Sequence, residues 1–165
     1  ELSPAETGVT LALFFAPFGL LQYPFGRLSD RFGRTAPIVA GSAFYGVVVL
    51  GIGLAEGAFP TQRTALLAVQ FGMVAVGVLG ALMAPATMAL VVDLAPEGER
   101  GVALGGFNIA GSLGFLAGVV GGGLIADDFG YTAAFGFAGG AEILLALVAI
   151  PAFLRLQISR EKMFS

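Results

Sequence analysis

The sequence predicts an all-α protein, a polytopic transmembrane bundle of about five spans. Three observations carry that expectation. Only 12% of the residues are charged and the mean hydropathy is +0.92, whereas soluble domains carry roughly 25% charged residues; lipid is therefore the natural solvent for most of this surface. The charges fall in clusters separated by long uncharged stretches, of which the shortest runs from Thr7 to Phe25, and a helix needs ~20 residues to cross a hydrocarbon core of ~30 Å. The stretches neither alternate, as the roughly 10-residue strands of a membrane barrel do, nor show the polar face of a helix in a soluble core.

Each element has its own signals. The first span, roughly 4–25, opens at Ser3-Pro4-Ala5-Glu6, a capping box with proline at the first helical position. A charged cluster, Arg27, Asp30, Arg31 and Arg34, follows it. The second span, roughly 36–55, starts beside Pro37. Glu56 and Arg63 bound a short link containing Pro60. The third, roughly 64–92, starts at Thr64 and gives way to Asp93, Pro96, Glu97, Glu99 and Arg100. The fourth, roughly 101–126, ends at Asp127 and Asp128. The fifth, roughly 131–154, carries one charge, Glu142. Residues 1–154 thus form the bundle and 155–165 a polar tail.

Arginine and lysine set the orientation. One side holds Arg27, Arg31, Arg34, Arg100, Arg155, Arg160 and Lys162; the other holds Arg63. The first side is expected to be cytoplasmic, with the N-terminus outside, the C-terminal tail inside, and the protein multi-pass in the cell membrane. An odd number of spans after a first residue that is Glu1 rather than Met leads us to expect one further helix upstream.

Composition excludes several classes of chemistry. There is no cysteine and no histidine, so zinc, haem, iron–sulfur and disulfide chemistry lack their usual ligands and no metal or cofactor is expected. A Ser–His or Cys–His pair cannot be built, and one intramembrane acid leaves few partners for acid–base catalysis, so an enzyme is not expected. A net charge of −3 gives no reason to expect nucleic acid as a partner. No Walker or G-x-G-x-x-G pattern follows a strand.

Gly26-Arg27-Leu28-Ser29-Asp30-Arg31-Phe32-Gly33-Arg34 lies between the first two spans. It resembles the signature loop of the major facilitator superfamily, a G-x-L-x-D-R-x-G-R pattern, at every specified position. The resemblance implies a conformational latch at the cytoplasmic side, made of Gly26, Arg27, Asp30, Arg31, Gly33 and Arg34, with Asp30 as its acid. On the residues alone, Gly26 and Gly33 permit a sharp reversal and close helix approach, Asp30 can meet a helix N-terminus or an arginine, and the arginines can equally be inner-leaflet anchors. Pro85 to Asp93, running into Pro96-Glu97-Gly98-Glu99-Arg100-Gly101, is similar to a further family pattern and offers Arg100 as a partner for the Asp30 loop; a solvated loop charge is the alternative. Gly118-Val119-Val120-Gly121-Gly122-Gly123 resembles the G-P-x-x-G-G motif of the family's fifth helix, with Val119 in place of proline, which counts against an antiporter. The third span has Gln70 but no arginine, which favours helices eight to twelve, the C-terminal half.

Gly114, Gly118 and Gly122 fall on one face of the fourth span and are expected to pack helices closely. Polar groups inside spans are candidates for a substrate path: Glu142 near mid-membrane, Asn108 with Ser112 in the fourth span, Gln70 in the third, Gln22 with Tyr23 in the first. Each has a plainer reading, a partnered structural acid for Glu142 and interhelical hydrogen bonding for the others. The resemblance implies a secondary active transporter of a small solute working by alternating access, completed by the missing N-terminal half within a lipid bilayer. A non-transporting membrane sensor or scaffold of the same fold is the alternative.

Overall fold

The computed structural model describes residues 3–164. Its elements are five helices: α1 (Pro4–Phe32), α2 (Thr35–Ala58), α3 (Gln62–Leu94), α4 (Arg100–Phe129) and α5 (Tyr131–Phe164). All five are long and apolar enough to cross a membrane, and no strand occurs among the described residues.

The ends follow from local chemistry. Ser3 Oγ accepts from the Glu6 backbone N–H at 3.2 Å, and the Ser3 N–H donates to Glu6 Oε2 at 2.8 Å, closing the capping box that the spacing predicts. At α3 the cap is Thr61, whose Oγ1 accepts from Thr64 N–H at 3.2 Å, so the helix opens at Gln62. Three of the four reversals use glycine at positive φ: Gly33, Gly98 and Gly130. Gly33, at φ 91° and ψ 155°, occupies a region essentially closed to side-chain-bearing residues.

Two boundaries differ in kind from the expected ones. α1 continues through the arginine-rich segment to Phe32, so Gly26–Phe32 is helix and the reversal is made at Gly33 alone. Of the two roles expected of Gly26 it serves the close helix approach: a Cβ there would sit 3.6 Å from Pro85 Cβ on α3. α5 continues helical into the 155–165 segment, as far as Phe164; the side chains of Arg160 and Lys162 lie outside the described residues.

The helices do not pack in chain order. α1 packs along α3, α3 along α2, and α2 along α5, while α4 leans on α5 and more lightly on α3; α1 and α2 meet only at their turn. The core is made of small residues, with Ala81 and Ala86 fully buried beside Ile38, Ile52, Val76 and Leu90. Large apolar side chains mostly face outward, which suits a lipid-solvated bundle where close backbone approach rather than water exclusion holds helices together. The close approaches lie at Gly77 of α3 against Phe14 and Pro17 of α1, at Gly72 of α3 against Ile52 of α2, at Gly41 of α2 against Met83 of α3, and at Gly46 of α2 against Gly139 and Ile143 of α5.

Gly114, Gly118 and Gly122 do not take part. A Cβ on any of them meets nothing within 4 Å, and α4 buries no residue. Their spacing does make one face, but α5 does not close on it: Gly118 and Gly122 border an open groove whose far wall is Ala134, Phe135 and Ala138.

Candidate functional site

The charged segment folds into one corner where α1 ends, α2 begins and α3 ends. Arg34, just past the Gly33 reversal, is its centre. Its guanidinium pairs with Asp30 one turn back on α1, donates from Nε to Asp93 Oδ2 at 3.4 Å, and donates from Nη1 to Ser29 Oγ at 3.1 Å. Ser29 is 1% exposed and its own hydroxyl donates to the Gly26 carbonyl at 2.9 Å. One cation thus ties the last turn of α1 to the last turn of α3, with a planar fork that a lysine ammonium does not offer. The Asp30 carboxylate first, and Asp93 after it, raise the Arg34 pKa above arginine's ordinary value. The folded state therefore holds this proton at any physiological pH, and the charge is lost only under strong alkali.

Of the residues expected in the latch, the structure unites Gly26, Asp30, Gly33 and Arg34. It leaves Arg27 and Arg31 exposed and facing away, without an ion pair among the described residues. Arg100 opens α4, which makes no contact with α1, so it does not reach Asp30. The reason is the packing order: α4 is held by α5 and stands off from the α1 end of the bundle. Ser29 and Asp93 were missing from the expected set. Asp93 carried a signal, as the acid ending an uncharged span on the same side as the arginines; Ser29 carried none beyond its place in the motif.

The substrate-path candidates are dispersed. Gln70 Nε2 donates to Thr10 Oγ1 at 3.4 Å, joining α3 to α1 near the end away from the charged corner, where Thr10 is buried. Gln22 is half-buried on α1 and Asn108 exposed on α4; neither makes a hydrogen bond among the described residues. Glu142 is half-buried in the middle of the Tyr131–Phe153 span, within electrostatic reach of Tyr45 on α2. Tyr45 also approaches Gly80 of α3, where the Phe18 ring of α1 fills the space a Cβ would take. Glu142 thus belongs to the α2–α5 seam and Gln70 to the α1–α3 seam.

Comparison with known proteins places this architecture. The sequence profile described as Major Facilitator Superfamily matches residues 1–162. The chain is 33% identical over 147 residues to an uncharacterized MFS-type transporter of Methanocaldococcus jannaschii, covering 87% of this chain and 36% of that protein. It is 32% identical over 150 residues to multidrug resistance protein 2 of Bacillus subtilis, covering 87% and 35%, and 30% identical over 145 residues to multidrug resistance protein MdtG of Escherichia coli, covering 87% and 33%. The chain therefore spans about a third of the length of these relatives. No solved structure matches.

Proposed function

The chain belongs to the Major Facilitator Superfamily, and from that premise we propose that it is the helix-eight-to-twelve part of a secondary active transporter that moves a small solute by alternating access. The family is one of membrane transporters, not enzymes, and the multidrug resistance proteins among the relatives favour an apolar or amphipathic substrate leaving the cell. The arginine-rich end of the bundle faces the cytoplasm, as does the C-terminus, in the cell membrane.

The observation that carries the reading is the three-level tie between α1 and α3. Gln70–Thr10 holds the outer end, the Gly77 approach to Phe14 and Pro17 the middle, and Arg34–Asp93 the inner end. Alternating access by rocking needs a bundle that moves as one body around a central site. A pair of helices fixed at both ends and the middle answers that need, and the charged corner is then a staple within the moving body. Glu142, Asn108, Gln70 and Gln22 remain candidates for contact with solute or coupling ion, in the cavity that the rest of the transporter completes.

Flux through the full-length protein, across a panel of drugs and small solutes with and without a proton gradient, tests this reading. Asp30→Asn lowers the transport rate more than it lowers substrate binding. Equal loss of both refutes the staple. Ligand binding without flux in the unaltered protein selects the sensor alternative. Glu142→Gln leaving transport unchanged at every pH removes Glu142 from the path.

A further inference from the structure

The charged corner divides its three arginines unequally. Arg34 takes Asp30 and Asp93, which leaves Arg27 and Arg31 exposed without an acid among the described residues. The two stand four apart on α1, one above the other on the same helix face, and line a shallow groove of about 370 Å³ together with Tyr23, Pro24, Leu28 and Phe32. The Arg31 guanidinium lies over the Phe32 ring, 5.5 Å from its centre, which holds that side chain beside the groove.

The geometry points to Arg27 and Arg31 as a seat for the phosphate of one anionic phospholipid. Two forked guanidiniums one turn apart can converge on a single phosphate. The apolar companions decide between a lipid and a soluble anion. Tyr23, Leu28 and Phe32 are all exposed beside the arginines, and a free phosphate has no use for them, whereas the glycerol and upper acyl carbons of a phospholipid do. The depth agrees, since the uncharged part of α1 ends at Gly26 and the groove lies over its last turns, where interfacial aromatic and basic residues meet headgroups. The seat stands beside the staple but shares no side chain with it. The choice of leaflet rests on the orientation proposed above; the seat itself does not.

The test uses the full-length transporter in nanodiscs of mixed phosphatidylglycerol and phosphatidylcholine, with retained lipid counted by native mass spectrometry. An arginine at a membrane surface favours an anionic lipid by about fivefold, so two give about 25-fold. The unaltered protein retains one phosphatidylglycerol with about that preference. R27Q/R31Q brings the preference within about twofold, R27K/R31K leaves an intermediate value, and R155Q, at another arginine of the same side, leaves it unchanged. The lysine pair keeps the charge, so its intermediate value is decisive even if the glutamine pair fails to fold. No preference in the unaltered protein overturns the seat, as does full retention by R27Q/R31Q or by R27K/R31K. An equal fall in R155Q shows diffuse attraction and also overturns it. Release of the lipid by millimolar inorganic phosphate overturns it in favour of a soluble-anion site. Lipid retention in a nanodisc does not depend on sidedness or flux, so its failure is distinct from failure of the transport reading.

Discussion

α3 and α4 are alike in sequence and opposite in structure. Both are long, apolar and punctuated by small residues, yet α3 buries Ala65, Gly72, Val76, Gly77, Ala81, Ala86 and Leu90, and α4 buries none. The difference is what lies opposite each glycine. On α3 the missing side chains are filled by neighbours: Ile52 at Gly72, Phe14 and Pro17 at Gly77, Phe18 at Gly80. On α4 the space beside Gly114, Gly118 and Gly122 is open. A row of glycines says that a backbone can be approached closely. It does not say by what.

The largest expected effect sets these two helices against each other. Gly77→Leu drives a side chain into the α1 backbone at Phe14 and the Pro17 ring, neither of which can swing aside, and costs about 2–3 kcal/mol by overpacking. Gly118→Leu extends into the open groove that α4 shares with Ala134, Phe135 and Ala138 of α5 and leaves stability nearly unchanged. Unfolding both variants of the five-helix chain in detergent micelles measures the gap. Similar losses at both positions break the comparison.

The charged corner sharpens the contrast at a smaller scale, because α3 is held there by an ion pair and α4 is not. A double-mutant cycle of Arg34→Gln with Asp93→Asn yields a coupling of about 0.5–1 kcal/mol, given that both side chains are partly open to solvent. The same cycle on Arg100 with Asp30 yields none. At the end away from the charged corner, Gln70→Ala costs about 0.6 kcal/mol, the usual size of a hydrogen bond between helices in a membrane environment, and Thr10→Val costs more, because it removes both that bond and the one Thr10 Oγ1 donates to the Glu6 carbonyl at 2.7 Å.

Helix number and type were legible in the sequence because the charge clusters and uncharged runs report the solvent directly, one residue at a time. The charged corner was half legible. Asp30 and Arg34 stand in a local pattern, and their pairing is an i, i+4 contact on one chain segment. Their tie to Asp93 depends on α1 packing along α3 rather than its chain neighbour α2, and nothing in the hydropathy of either helix encodes that order. Gly26 was legible only as a pair of options for a related reason: glycine permits both a reversal and a close helix crossing, and Pro85 opposite it decides for the crossing. Arg100 and the α4 glycines were assigned partners on sidedness and periodicity, and both properties are silent about which neighbour is near.

The smallest effect is the most discriminating. Glycine in the middle of a helix costs ~0.5–1 kcal/mol relative to alanine in a soluble setting, and lipid-solvated helices keep some part of that difference. Gly118→Ala adds a methyl group into open space, so in the five-helix chain it stabilises by roughly 0.5 kcal/mol or less. In the full-length transporter the same substitution reports on whatever helix the remaining two-thirds of the relatives' length supplies. If a helix packs on the α4 ridge there, the methyl group stands in its way and the sign reverses, while Gly77→Leu remains destabilising in both. Thermal unfolding of the two variants in both lengths of chain therefore separates a glycine face that awaits a partner from one that is open to lipid. An unchanged sign in the longer protein assigns the α4 ridge to lipid.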